Sequence, residues 1–185
     1  MNKVNDFFYI RRIKAGEVRA FTDIVEKYRR TVLTIVMKMI GNKEDAEDIT
    51  QEIFLKVFKS LEQFKEESEF STWLYRIAYN TTLSELRKRK LLFCSIDDQL
   101  FIDNEEDDDV ETVAGEKLLY LEQALTKLAP DEMFLIGLYY MDKQSIHQIS
   151  TITQLSVSNV KVKLHRIRKK LALEINKLCT DGNKS

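Results

Sequence analysis

The residues best suited to chemistry lie between Ser156 and Lys170, where short polar side chains give way to a run whose charged residues are all cations. On a helix advancing about 100° per residue, Ser158, Asn159, Val162, Arg166 and Lys169 share one side, with Lys161, Lys163, Arg168 and Lys170 toward its flanks. Val157, Val160, Leu164, Ile167 and Leu171 fall opposite and can dock the helix on a core. Small polar groups at the N-terminal end of such a helix reach base edges in a major groove, while the cations hold phosphates. Just upstream, Ser145 and Gln148 form a capping-box pattern, Ser156 is a second N-cap, and Thr153 to Leu155 suits a tight turn. The stretch from Ile146 to His165 therefore reads as a helix-turn-helix. Taken alone, the segment also fits a structural helix with a solvated basic face.

Two further constellations precede it. From Asp45 to Leu61, Ala46, Ile49, Ile53 and Val57 occupy a core-facing arc, with Phe54 and Leu61 at its edge. Asp45, Asp48, Gln51, Glu52, Lys59 and Glu62 project outward, yet Leu55 stands in the middle of that polar arc with Phe58 on its border. A dry centre ringed by polar groups is how protein-binding surfaces are built, although one exposed leucine is commonplace. In the helix opening at Phe70-Ser-Thr-Trp73, Trp73, Leu74, Ile77 and Ala78 can face the core. Arg76, Asn80 and Arg87 share another stripe, flanked by Tyr75, Tyr79 and Leu83. Cations interleaved with rings suit single-stranded DNA, where unpaired bases stack and phosphates are neutralised. Packing is the simpler reading for Trp73.

Catalysis finds little foothold. His147 and His165 have no cysteine, serine or second histidine at catalytic or ligand spacing, and no glycine-rich phosphate loop occurs. Neither a metal nor a cofactor is expected. Cys94 and Cys179 lie far apart and read as reduced thiols. No stretch approaches the roughly 18 apolar residues of a spanning helix, and Met1 to Ile10 lacks a signal core, so a cytoplasmic location is expected. The net charge of −1 hides a segregation: every charged residue from Asp97 to Glu116 is acidic, whereas Arg87 to Lys90 and Lys161 to Lys170 are basic.

These residues need helices to position them, and with five Gly and one Pro in 185 residues the chain has too few turn formers for a sandwich or barrel. Apolar residues from Phe21 to Met39 recur at helical spacing up to a stop at Gly41-Asn42. Helices from about Lys43 to Leu61 and Thr72 to Lys90 follow, after a short one before Gly16. Leu118, Leu121, Leu125 and Leu128 mark one face of a helix that ends before Pro130. Asp131 to Met141 is apolar nearly all round and should be the buried centre of the second unit. The expected architecture is all-α: a helical domain over 1–90, an acidic flexible linker over 91–116, and a helix-turn-helix domain over 117–185.

The run Asp45-Ala-Glu-Asp-Ile-Thr-Gln-Glu-Ile-Phe-Leu-Lys-Val-Phe58, followed by Phe70-Ser-Thr-Trp-Leu-Tyr-Arg-Ile-Ala-Tyr-Asn80, resembles region two of extracytoplasmic-function (ECF) sigma factors of bacterial RNA polymerase. Leu128-Ala-Pro130 and Ile146 to Leu171, ending His165-Arg-Ile-Arg-Lys-Lys-Leu171, resemble their region four. The resemblance implies that Asp45, Asp48, Gln51, Glu52, Leu55, Phe58 and Lys59 bind the clamp helices of the polymerase's largest subunit. It implies that Phe64, Lys65, Ser68, Phe70, Arg76, Tyr79, Asn80, Leu83 and Arg87 read and help melt the minus-ten element, capturing an extruded base. Ser156, Ser158, Asn159, Lys161, Val162, Lys163, His165, Arg166 and Lys169 would read the minus-thirty-five element as duplex. A contact with the flap of the second-largest subunit and a membrane-bound anti-sigma factor also follow from the resemblance. Gln154 stands where the family commonly has glycine, and Ser150 where it has alanine, so Gln154 must take a turn backbone at some conformational cost. An ordinary helix-turn-helix regulator and a helical protein-binding scaffold are the rival readings.

Overall fold

A computed structural model describes residues 6–93 and 113–182, and among them every regular element is helical. Helix α1 (Asp6–Lys14) leads through a 3-10 turn into α2 (Phe21–Ile40), followed by α3 (Lys43–Ser60) and α4 (Phe70–Phe93). The remaining helices are α5 (Val113–Thr126), α6 (Pro130–Ile136), α7 (Ile146–Thr153) and α8 (Val157–Gly182). The acidic stretch assigned to a linker lies largely outside the described residues. At its ends the helices run further than expected, through Phe93 and from Val113.

The punctuation follows local chemistry. Gly41 closes α2 in the left-handed conformation (φ 80°), which glycine adopts without a Cβ clash. Asn42 opens α3 by accepting the Asp45 amide at 3.0 Å. Pro130 occupies the first turn of α6, where its missing N–H is harmless, and the Glu132 carboxylate accepts the Ala129 amide at 2.9 Å.

The first helices pack around Ile24, Val32, Val36, Ile53, Val57 and Leu74, all closed to solvent. Tyr28 ties α2 to α1 by donating to Asp6 at 2.7 Å, and burial pushes its phenol well up. In the second half, α8 turns Val160, Leu164 and Ile167 onto α6 and α7, as its periodicity requires.

The two halves are not separate cores. Met133 to Leu138 are buried without interruption, because α6 is covered by its own half on one side and by α2 on the other. An all-round apolar helix is how such two-sided burial looks in sequence. At Gly137 a Cβ would meet Ile35 Cγ1 at 3.6 Å, and Tyr79 of α4 packs at a tilt against Phe134 with ring centroids 4.6 Å apart. Tyr75, expected to flank an exposed stripe, is 1% exposed and donates to Asp142 at 2.9 Å. Beyond Ile136 the helix loosens into a π turn, Gly137–Met141, which turns Tyr140 and Met141 out to solvent. The leucine face of α5 is also only partly used. Ala124 and Leu128 are buried, whereas Leu118 and Leu121 are exposed, because the N-terminal part of α5 reaches past the core.

Candidate protein-docking and nucleic-acid interfaces

The face of α3 stands as its spacing required. Ala46, Ile49, Ile53 and Val57 anchor it, and Leu55 is left 58% exposed with Asp48, Gln51 and Lys59 in solvent around it. Glu52 pairs with Lys56 one turn on, at 2.7 Å. Asp45 accepts from Arg89 of α4 at 2.5 Å, and that hydrogen bond holds its carboxyl below the usual range. Phe58 packs edge-on to Phe21, ring centroids 5.0 Å apart. Beside Leu55 runs an open apolar groove of about 660 Å³ between α2 and α3, walled by Phe21, Val25 and Leu33 opposite Phe54, Leu55 and Phe58. Sequence reasoning missed the α2 wall. The spacing places Phe21 and Val25 in the apolar repeat of α2 without separating them from its core residues, and both are partly buried. The signal was present in the breadth of the α2 apolar stripe, which exceeds what one packing partner can cover.

The stripe on α4 is mixed. Asn80 and Arg87 are exposed, Arg76, Tyr79 and Leu83 half-buried, and Lys65 and Ser68 lie in the preceding loop. Phe64 and Phe70, in contrast, are 3% and 1% exposed. Their rings pack at a tilt against Trp73 at centroid distances of 5.1 and 5.7 Å, so they brace this face rather than present surfaces to a base. Trp73 is half-buried in that cluster, a packing residue. Tyr79 lies against Phe134, and burial pushes its phenol up.

The helix-turn-helix has the geometry expected of it. The Ser145 hydroxyl accepts the Gln148 amide at 3.2 Å and Gln148 Oε1 accepts the Ser145 amide at 2.8 Å, closing the capping box. Gln154 takes the left-handed turn conformation (φ 60°, ψ 21°), and the Ser150 hydroxyl donates to the Leu155 carbonyl at 2.5 Å, bracing the turn from within. The Ser156 hydroxyl accepts from the Asn159 amide at 3.2 Å. Ser156, Ser158, Asn159, Lys161, Val162, His165, Arg166 and Lys169 are all exposed along α8.

Not every cation on α8 is available. Lys163 donates to Asp131 at 2.9 Å and Lys170 to Glu132 at 2.8 Å, so the first turn of α6 already neutralises two of them. Burial works against the Glu132 charge, but Lys170 and the Ala129 amide hold its carboxyl below the ordinary range. Arg168 donates to the Tyr140 hydroxyl at 2.7 Å and lies 5.3 Å from the Tyr139 ring centre. Among the described residues, Lys161, Arg166 and Lys169 have no ion-pair partner. No group of side chains among the described residues could hold a metal ion, and no helix there is long and apolar enough to cross a membrane.

The chain matches the family model for Sigma-70 region 2 over residues 24–91 and that for Sigma-70, region 4 over residues 118–171. It is 32% identical over 180 residues to the ECF RNA polymerase sigma factor SigW of Bacillus subtilis (strain 168), covering 91% of this chain and 96% of that protein. Among solved structures, CnrH in complex with the cytosolic domain of CnrY superposes with a TM-score of 0.67 at 20% identity, over 92% of this chain and 96% of that one. The sigma factor RpoE in complex with the anti-sigma factor NepR from Bartonella quintana gives 0.69 at 19% identity, over 83% and 97%. These two show the shared fold. With both sigma regions matched in order on either side of an acidic stretch, and a relative aligned over nearly the whole length, the chain belongs to the ECF sigma factors, which direct RNA polymerase to initiate transcription.

Proposed function

We propose that this sigma factor divides its work among three faces: α3 grips core polymerase, α4 reads the melted minus-ten strand, and α8 reads the minus-thirty-five duplex. The observation that carries this reading is Leu55, 58% exposed at the centre of a polar ring and beside an apolar groove. A large apolar side chain at the centre of a polar ring and beside an apolar groove is the arrangement of a surface that a partner covers. The clamp helices of the largest polymerase subunit fit that role, with Asp45, Asp48, Gln51, Glu52, Phe58 and Lys59 as the rim. On α4, Arg76, Tyr79, Asn80, Leu83 and Arg87, with Lys65 and Ser68 before it, supply donors, cations and one ring for an unstacked strand. Phe64 and Phe70 position that set. On α8, Ser158, Asn159, Val162 and Arg166 face bases while Lys161, His165 and Lys169 line the backbone, and Lys163 joins them only by leaving Asp131.

The functional domains run over 1–90 and 117–185. The role is non-catalytic and cytoplasmic, and the flap of the second-largest subunit holds the helix-turn-helix at its upstream site. An anti-sigma factor is a natural partner, since the structures of CnrH and RpoE with similar folds are each bound to one or to a cytosolic domain. Reconstituted transcription tests the whole reading. Core polymerase lacking a specificity subunit should acquire selective initiation on members of a promoter library when this chain is added. Unchanged, unselective RNA synthesis across the library would discard it.

A further inference from the structure

The groove between α2 and α3 is not uniformly apolar. Its walls are consecutive helices joined only by Gly41-Asn42 and so run antiparallel, and the ring pair of Phe21 and Phe58 marks the end away from that loop. Counting inward from those rings, Val25 stands opposite Phe54, Arg29 opposite Thr50, and Leu33 opposite Glu47, all of them lining the groove. The outer half is therefore hydrocarbon, while the inner half carries Arg29, Thr50 and Gln51. Thr50 is 3% exposed, and its hydroxyl oxygen has no hydrogen-bond partner. A buried hydroxyl left unpaired costs stability that an incoming polar group restores. Arg29 is exposed and unpaired among the described residues, as is Arg19 at the outer mouth, and Glu47 is the one acid in the lining. Two cations against one carboxylate favour an anion.

We propose that the groove binds one medium-chain fatty acid: Arg29 and the Thr50 hydroxyl hold the carboxylate, and the alkyl chain lies along Val25, Phe54 and Leu55 toward Phe21 and Phe58. The guanidinium fork matches a carboxylate with two parallel hydrogen bonds, and the hydroxyl donates a third. From Thr50 to Phe58 a helix advances about 12 Å, the length of about ten extended methylenes. The groove's volume of about 660 Å³ lies within the range of small-ligand sites. Because Leu55 and Phe58 belong to this site and to the proposed polymerase surface, the bound acid and core polymerase exclude one another. That consequence, unlike the site itself, rests on the assignment of α3 to polymerase. Free fatty acid then withdraws the sigma factor from assembly by mass action.

Calorimetric titration of the full chain with sodium dodecanoate, kept below its micelle concentration, tests the site, and one acid per chain is expected. Across the series from hexanoate to tetradecanoate, affinity should rise about twofold to fourfold per methylene, then level off at about twelve carbons, where the alkyl chain outruns the groove. Dodecylammonium, with the same tail and the opposite charge, should not bind. Arg29→Glu should weaken dodecanoate about tenfold or more, and Thr50→Val about threefold to tenfold without lowering the melting temperature. Arg19→Glu makes the same charge change at the outer mouth and should leave affinity within about twofold, since an exposed charge that far from the head is screened. No saturable binding, an affinity that climbs without levelling, equal binding of dodecylammonium, or an Arg29→Glu chain as tight as the parent overturns the proposal. Capture of the chain by phosphatidylglycerol vesicles with no response to free dodecanoate assigns the groove to a membrane surface and overturns it too. Assembly with core polymerase then separates the consequence from the site: dodecanoate should weaken assembly of the parent and leave that of Arg29→Glu as it is without the acid. If the acid binds as expected and assembly is untouched while Leu55→Asp abolishes it, mutual exclusion is overturned and the site upheld. If Leu55→Asp also assembles normally, it is the reading of α3 that fails, and the acid's binding still upholds the site.

Discussion

Replacing Leu55 separates docking from folding. Its side chain is 58% exposed, so the folded chain has harvested less than half of what a leucine gains on full burial, about 1.5–3 kcal/mol. A partner that covers the rest gains about 1–1.5 kcal/mol, which makes Leu55→Ala roughly a tenfold loss in affinity for core polymerase. Leu55→Asp goes further, because a carboxylate would be pressed against an apolar wall that already carries Asp48 and Glu52 nearby. An unpaired charge in a dry contact costs several kcal/mol, a loss beyond about a hundredfold. Neither change removes a fully buried contact, so thermal unfolding should shift by no more than the part of Leu55 already covered in the folded chain, about 1 kcal/mol in equivalent stability. The assay is equilibrium binding of labelled chain to core polymerase, beside a melting curve of each variant. Binding of Leu55→Asp within threefold of the parent would refute the placement of the polymerase on this face, and a collapsed melting curve would refute the claim that Leu55 is spare.

Arg166→Ala should weaken binding of holoenzyme to duplex carrying the upstream promoter element by about 1–3 kcal/mol if the guanidinium reads a base; an unchanged footprint and affinity would remove it from the groove. Gln154→Gly should raise stability by about 0.5–1 kcal/mol, since glycine relieves the left-handed strain at φ 60° and gives back part of the gain as backbone entropy; a lower melting temperature would contradict this. Burial raises the Asp142 carboxyl although Gln144 and Tyr75 both donate to it, so its protonated form is favoured in the fold. Its contribution is therefore fully present below the ordinary aspartate range and lost as pH rises through the higher folded value. Asp142→Asn should melt higher than the parent at neutral pH, by a margin that closes as the solution is acidified; a margin that grows toward acid would reverse the argument.

Much of this was legible because single-helix periodicity reports which side of a helix is buried. The core arcs of α3 and α8, the stop at Gly41-Asn42 and the cap at Ser145 all stand where their spacing placed them. What periodicity does not report is the identity of the covering element. The all-round apolarity of α6 marked it as central, yet nothing in its own residues says that α2 supplies one of the two covers. Tyr75 was misjudged for the same reason, since a tyrosine beside arginine and asparagine looks alike whether it waits for a base or for Asp142. Phe64 and Phe70 were grouped with the strand-reading residues by resemblance, and only their burial separates bracing from contact. The wall of the groove on α2 is written only in the breadth of the α2 apolar stripe, which spacing shows without saying which of its residues go uncovered.

Asp131 and Glu132 pair with two cations of α8 that would otherwise be free for phosphate groups on the proposed reading. Two of its ammonium groups are thus already paired within the protein and displace few of the cations condensed on a duplex. Random genomic sequence, which attracts proteins almost entirely through that displacement, holds such a helix only loosely. The carboxylates at the head of α6 act as a built-in decoy, leaving the sigma factor little retained by the bulk chromosome and dependent on base edges, and on polymerase, for residence at a promoter.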